Sequence, residues 1–329
     1  MNHKKQLLLL FTGAGFSALA GAPVMNQFLL RAEDRLAEDL LRCIRAGFYF
    51  AGYALHEEPN LETAYGAAVF REVIHKPDFR VATFQRNNGH DVFVPSRDGP
   101  RLKDVVEGFE RGIACLYGQA VLENCNQWLG YYSEFFSYLL EHYRLGVLTT
   151  NYDRVIETAL HKIDRESSYS VAGASCRPEN PIPILKLHGS VNWPQTRNLD
   201  LRTIATDAEP LDKPLVLPPT WNKNVHSSGV FAGVWRGAVD LIGAADAVLV
   251  IGHSFPSTDL HLGYLFAEGM SKRGGQPERK RVTVVDQNVI VGASVCSRFH
   301  RYQTVEHVVL HGVRFEEILS CLKESSIAL

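Results

Sequence analysis

The feature that most constrains this chain is a set of short apolar runs, each ended by glycine or polar residues, that recurs along its whole length. They are Leu7–Phe11, Leu145–Thr149, Ile184–Leu187, Leu215–Leu217, Ala247–Ile251, Val282–Val285 and Thr304–Val309. Most are continuous rather than alternating, the pattern of strands covered by helices on both faces. Helical spacing follows several of them. Ile156, Leu160 and Ile163 fall on one face after the second run, and Leu260, Tyr264 and Ala267 after the fifth. Strand followed by helix, repeated, predicts an α/β fold with a doubly wound, mainly parallel sheet. Such sheets bind ligands at the carboxyl ends of their strands, so the residues that close these runs are the candidate site.

The rhythm breaks once. From about Met25 to Tyr143 the pattern is mostly helical, with Leu29, Leu36, Leu40 and Ile44 spaced for a buried stripe and a long helical stretch from Lys103 to His142. Phe79–Pro100 reads as a polar loop or hairpin. We therefore expect a catalytic sheet domain over residues 1–24 and 144–329, with a helical insertion subdomain over 25–143. Phe48-Tyr49-Phe50 and Tyr131-Tyr132 suit either a partner surface or the insertion's own core.

Composition removes several function classes. Thirty-four basic residues against 36 acidic ones give no cationic excess, so direct nucleic-acid binding is not expected. Six scattered cysteines (Cys43, Cys115, Cys125, Cys176, Cys296 and Cys321) form no C-x-x-C pair, which argues against a zinc ribbon and for reduced, mostly buried thiols. Lys4-Lys5, the run Leu7–Phe11 and Ala18-Leu19-Ala20 imitate a secretory signal. A first strand entering a glycine turn explains the same letters, and the expected location is cytoplasmic, with no membrane contact.

Five turns carry possible chemistry. Thr12-Gly13-Ala14-Gly15-Phe16-Ser17 follows the first run. Its glycines permit close backbone approach to a pyrophosphate, although a bare strand-to-helix turn uses the same residues. A dehydrogenase would next need an acid ending a second strand, and Glu33 sits instead on a charged helical face. Thr149-Thr150-Asn151-Tyr152-Asp153 closes the second run, where Asn151 either lines a ligand site or caps a helix whose dipole Asp153 complements. Leu187-His188-Gly189-Ser190 presents an imidazole at a strand end. Ile251-Gly252-His253-Ser254-Phe255, with Asp259 near a helix start, and Val285-Asp286-Gln287-Asn288 complete the set. The acid or amide of the last can bond ribose hydroxyls.

In order and spacing, G-A-G-F-S, T-T-N-Y-D, L-H-G-S, I-G-H-S-F and V-D-Q-N resemble the sirtuins and their prokaryotic sirtuin-like relatives, discontinuously from residue 7 to about 290. The resemblance implies a Rossmann-like, sirtuin-type NAD-binding fold. The departures are informative. Protein-deacylating sirtuins carry four zinc-binding cysteines soon after the histidine-glycine motif, and Leu201–Asn224 contains none, so no metal is expected. Their Pro-x-Phe-Arg segment is replaced by Ala22-Pro23-Val24-Met25-Asn26, and their T-Q-N-I-D by Thr149-Thr150-Asn151-Tyr152-Asp153. This divergence resembles the NAD-hydrolysing sirtuin-like domains of bacterial antiphage systems.

That resemblance implies catalytic roles for three residues. Asn151 would orient water and ribose hydroxyls, Asp153 would contact the nicotinamide amide, and His188 would accept a proton. It assigns the pyrophosphate to Gly13, Ala14, Gly15 and Ser17, the adenosine half to Ser254 and Asn288, and completes the NAD set with Thr150, Gly252 and Asp286. The implied protein is an NAD glycohydrolase giving nicotinamide and ADP-ribose, or its cyclic form. It would act as an oligomer, alone or with a partner such as a DNA-translocating ATPase. An NAD-dependent deacylase and a catalytically silent nucleotide sensor are the alternatives.

Overall fold

A computed structural model describes residues 5–55, 59–76, 78–87, 90–123, 125–170, 181–196, 198–217, 229–256, 259–271 and 280–324. The strands in chain order are β1 (Leu7–Thr12), β2 (Thr83–Asn87), β3 (His90–Val94), β4 (Arg144–Thr149), β5 (Ser167–Ser168), β6 (Ile182–Lys186), β7 (Gly189–Pro194), β8 (Pro214–Val216), β9 (Ala247–Ile251), β10 (Lys280–Val285) and β11 (Val305–His311). The α-helices are α1 (Ala14–Ser17), α2 (Phe28–Arg35), α3 (Glu38–Leu55), α4 (Leu61–Ile74), α5 (Leu102–Glu123), α6 (Cys125–His142), α7 (Val155–Lys162), α8 (Gly229–Ala244), α9 (Leu260–Ser271), α10 (Val289–Phe299) and α11 (Phe315–Lys323).

Seven strands form one sheet in the order β11-β10-β9-β1-β4-β6-β5, and every pairing within it is parallel. From β1 the chain fills one side through β4, β5 and β6. It then returns across β1 to lay down β9, β10 and β11. The order therefore reverses between β1 and β9, which is where an open α/β sheet leaves a crevice above its strand ends. β1 sits at the centre because both its faces are apolar: Leu7 through Phe11 are all buried. A run with no polar face has no stable place at a sheet edge or on the surface.

Two expectations need correction. Pro214–Val216 is a strand, but it pairs antiparallel with β7 in a separate ribbon rather than joining the sheet. A run so short contains nothing to select its partner. On α9 the face bearing Leu260, Tyr264 and Ala267 points outward, with Leu260 62% and Tyr264 69% exposed. Leu262, Leu265, Phe266, Gly269 and Met270 face the core instead. Phe79–Pro100 contains the β2–β3 hairpin. Of the cysteines with described surroundings, Cys296 is buried, whereas Cys43, Cys115 and Cys321 are only partly so.

The apolar interior divides into two clusters. The larger joins both faces of the sheet to Trp128, Tyr132, Phe135, Phe136 and Leu139 of α6. The smaller is built around Phe28, Ile44, Phe109 and Tyr117 of the helical region, and it also takes in Tyr152 after β4, Val191 of β7 and Val216 of β8. Residues beside the predicted site thus belong to the helical region's core. Among the described residues no helix is long and apolar enough to cross a membrane.

Candidate functional site

The turns after β1, β4, β6, β9 and β10 all lie at the carboxyl edge of the sheet, because the strands run parallel. The two flanking the crossover are locked together. Gly13 N–H donates to Ile251 O at 3.1 Å and Gly15 N–H to Gly252 O at 3.0 Å. Side chains have no room between them. A Cβ on Gly13 would stand 2.6 Å from Gly252 O, and one on Gly252 would stand 2.5 Å from Phe16 N. Gly252 also has φ +62°, a left-handed conformation that favours glycine.

A cleft of about 690 Å³ opens over this contact, lined by Ala14, Gly15, Gly252, Ser254 and Asp286 from the sheet turns. Val24, just before the helical region, Met25, Asn26 and Asn60 within it, and Glu316 of α11 also line it. Among the described residues, no lysine, arginine or histidine does. An anion there would be met by neutral donors, such as the side chains of Asn26, Asn60 and Ser254, rather than by a cation. Burial pushes the Asp286 carboxyl upward, while the amide of Asn288, donating at 2.8 Å, holds it down. Asn288 lies outside this cleft. Its carboxamide oxygen caps α10, accepting from the amides of Ile290 and Val291.

Beneath the cleft floor stands Asn151. Its Nδ2 donates to Gly13 O at 2.8 Å and to Ser17 Oγ at 2.9 Å, and its own amide donates to Thr149 Oγ1. The N-cap of α7 is Arg154, so Asn151 does not cap that helix. Thr149 and Thr12 are joined hydroxyl to hydroxyl at 2.8 Å, and Thr150 N–H donates to Thr12 O. Ser17, expected at a phosphate, is buried and faces Asn151.

Asp153 is buried as well. Its Oδ1 accepts the Val155 amide at 3.0 Å, which is the helix-start role open to it from the sequence, while Oδ2 is buried without a hydrogen bond. Burial pushes this carboxyl upward. The charge of Lys186, the Val155 amide and the nearby Ser17 hydroxyl oppose the shift.

His188 occupies the turn between β6 and β7. That turn is possible because Gly189 takes φ +84° and its missing Cβ leaves room for Leu215 O. The ring is buried with Nε2 3.4 Å from Asp259 Oδ2, and Asp259 is buried too. A carboxylate at that place orients the imidazole and steadies the positive charge it would acquire on taking a proton.

The structure thus brings Asn151, Gly13 and Ser17 into direct contact, and sets Asp153 and His188 on the ends of neighbouring strands, since Thr149 pairs with Lys186. It places none of Asn151, Asp153 and His188 on the wall of the cleft itself. Sequence reasoning noted Asp259 only as an acid near a helix start, without pairing it with His188, and gave no role to Lys186 or Glu157. A lysine within the apolar run Ile184–Leu187 was the available signal for the former.

Residues 146–307 match the SIR2-like domain family. Solved structures similar to the chain include a Sir2 homologue in complex with NAD, 14% identical, covering 98% of this chain and 89% of that one at a TM-score of 0.39. Another is a mutant Sir2 homologue bound to ADP-ribose, also 14% identical, covering 99% and 95% at 0.41. Sir2Tm bound to a propionylated peptide is 14% identical and covers 98% and 95% at 0.37. No curated protein matches the chain.

Proposed function

We propose that this chain binds NAD and hydrolyses the bond between nicotinamide and ribose, releasing nicotinamide and ADP-ribose or its cyclic form. The observation that carries the reading is the Asn151 amide, hydrogen-bonded to the carbonyl of Gly13 in the turn beneath the cleft. A residue suited to orient water and ribose hydroxyls is thereby tied to a turn suited to a pyrophosphate. The NAD and ADP-ribose complexes among similar structures agree with this choice of ligand.

Nicotinamide leaves NAD as a neutral base, so no acid need protonate it. The barrier lies in positive charge developing on the ribose, as in other glycosyl transfers. In this reading the phosphates approach the bare backbone of the Ala14-Gly15 turn, whose Gly15 N–H is held by Gly252 O, and Gly252, Ser254 and Asp286 face the adenosine half. Asn151 directs the attacking water, with Thr150 beside it. Asp153 takes the nicotinamide amide, and His188, backed by Asp259, accepts the proton.

Incubating the purified protein with NAD alone and following products by mass spectrometry tests the proposal. Nicotinamide release without any acylated peptide supports hydrolysis. Release only when such a peptide is supplied makes the protein a deacylase, and binding without product makes it a nucleotide sensor. We further propose that the activity depletes NAD in antiphage defence and is released by self-assembly or by a partner such as a DNA-translocating ATPase. Loss of phage protection in a host carrying the His188→Ala protein checks that role.

A further inference from the structure

Behind Asp153 lies a buried polar chain that the proposed chemistry does not use. The ammonium of Lys186, the last residue of β6, donates to the backbone carbonyl of Asp153 and, at 3.0 Å, to Glu157 Oε1 of α7. Both side chains of the ion pair are 1% exposed. Glu157 Oε1 also accepts from the Tyr169 hydroxyl at 3.0 Å. Burying an ion pair at this depth costs several kcal/mol per ion before any attraction is counted. Stability alone is therefore a poor reason for it, and apolar side chains would fill the space at less cost.

One ammonium here ties the backbone of Asp153 to the carboxyl of Glu157. We propose, building on the NAD reading above, that Lys186 is a positioning residue: it pins the backbone of Asp153 and, shared with Glu157, sets whether the Asp153 carboxyl carries charge when the nicotinamide amide arrives. Among the described residues, the Val155 amide and the hydroxyls of Ser17 of α1, Tyr117 of α5 and Tyr132 of α6 also bear on Asp153, and none of these carries a charge. Arg154, next in sequence, sends its guanidinium to the carbonyl of Asp207. Lys186 is thus the cation whose charge holds the Asp153 carboxyl down against burial, and Glu157 the anion that pushes it up.

Two variants move this balance in opposite directions. Glu157→Gln keeps the shape but leaves the ammonium to Asp153, so the acid limb of nicotinamide release shifts to lower pH. The double variant Lys186→Met with Glu157→Gln removes the cation, and the limb shifts higher, each by about one pH unit or more. Titration of carboxyl-labelled aspartate by NMR, with Asp153→Asn identifying the resonance, should follow the same two directions without any NAD. Shifts in one direction only, or none, overturn the proposal. Should the double variant not fold, the downward shift in Glu157→Gln decides it. If the wild-type protein releases no nicotinamide at any pH, the NAD reading fails, while the aspartate titration still judges the lysine.

Discussion

The two ends of the predicted site are built in different ways. At the β4 and β6 ends, the polar side chains are buried and committed to one another: Asn151 to Gly13 and Ser17, Asp153 to Val155, and His188 to Asp259. At the β9 and β10 ends the wall is mostly backbone and half-exposed side chain, and Asn288 is occupied in capping a helix. Chemistry needs groups held to within fractions of an ångström, which buried, cross-linked side chains supply. Holding a nucleotide tolerates more freedom. The difference implies that changes at the first end alter turnover, and changes at the second alter affinity or only stability.

The most direct way to break this contrast is at His188. His188→Ala should lower the turnover of NAD at least about a hundredfold, the usual reach of general-base assistance, with circular dichroism unchanged. Ser254→Ala, on the cleft wall, should raise KM a few-fold and leave kcat alone. Full activity in the histidine variant would remove His188 from the chemistry.

Next in size is the contact between the turns. Gly252→Ala places a methyl group where Phe16 N stands 2.5 Å away and forces alanine to φ +62°. Left-handed backbone costs a non-glycine residue about 1–3 kcal/mol, and here the turns must also part. Thermal unfolding should fall by several degrees and NAD affinity should fall with it. An unchanged Tm would show the two turns to be independent.

What could be read from the sequence follows from what is local. The run Leu7–Phe11, apolar on both faces, has to lie inside a sheet, and the turn after it has to lie at the edge where parallel strands end together. The pairing of Lys186 with Glu157 joins residues 29 positions apart, and no local pattern encodes it. On α9 the periodicity is sound, but it does not tell which side faces inward. Leu260 and Tyr264 repeat at helical spacing, and so do Leu262, Phe266 and Gly269. Only the neighbouring β-strands and α8 choose between them. Asn151 shows the limit most clearly, because an asparagine just before a helix suits a cap, and its actual partners come from a turn 138 residues away.

A smaller effect sharpens the role of burial. Asp153→Asn should abolish most turnover and yet raise Tm at neutral pH by about 2–4 °C, since a buried carboxylate oxygen without a hydrogen bond is costly. The sign follows from linkage. The folded carboxyl is raised relative to the unfolded chain, so the wild type loses stability as pH climbs from the ordinary aspartate value to the folded one. The asparagine variant loses none. The two melting curves should therefore coincide in acid and separate as pH rises. Separation in the reverse sense would mean that Asp153 strengthens the fold.

The smallest effect is at Asn288, where the sequence placed an adenosine contact and the structure places a helix cap. Asn288→Ala removes the acceptor for the amides of Ile290 and Val291, a loss of about 1 kcal/mol, and Tm should fall by a few degrees. Asp286 still lines the cleft, so KM for NAD should change less than about twofold, a shift of under about 0.5 kcal/mol. A tenfold rise in KM at unchanged Tm would place the Asn288 amide on the nucleotide. The adenosine end would then also be read by committed side chains, and the contrast between the two halves of the site would give way to a single cross-linked surface.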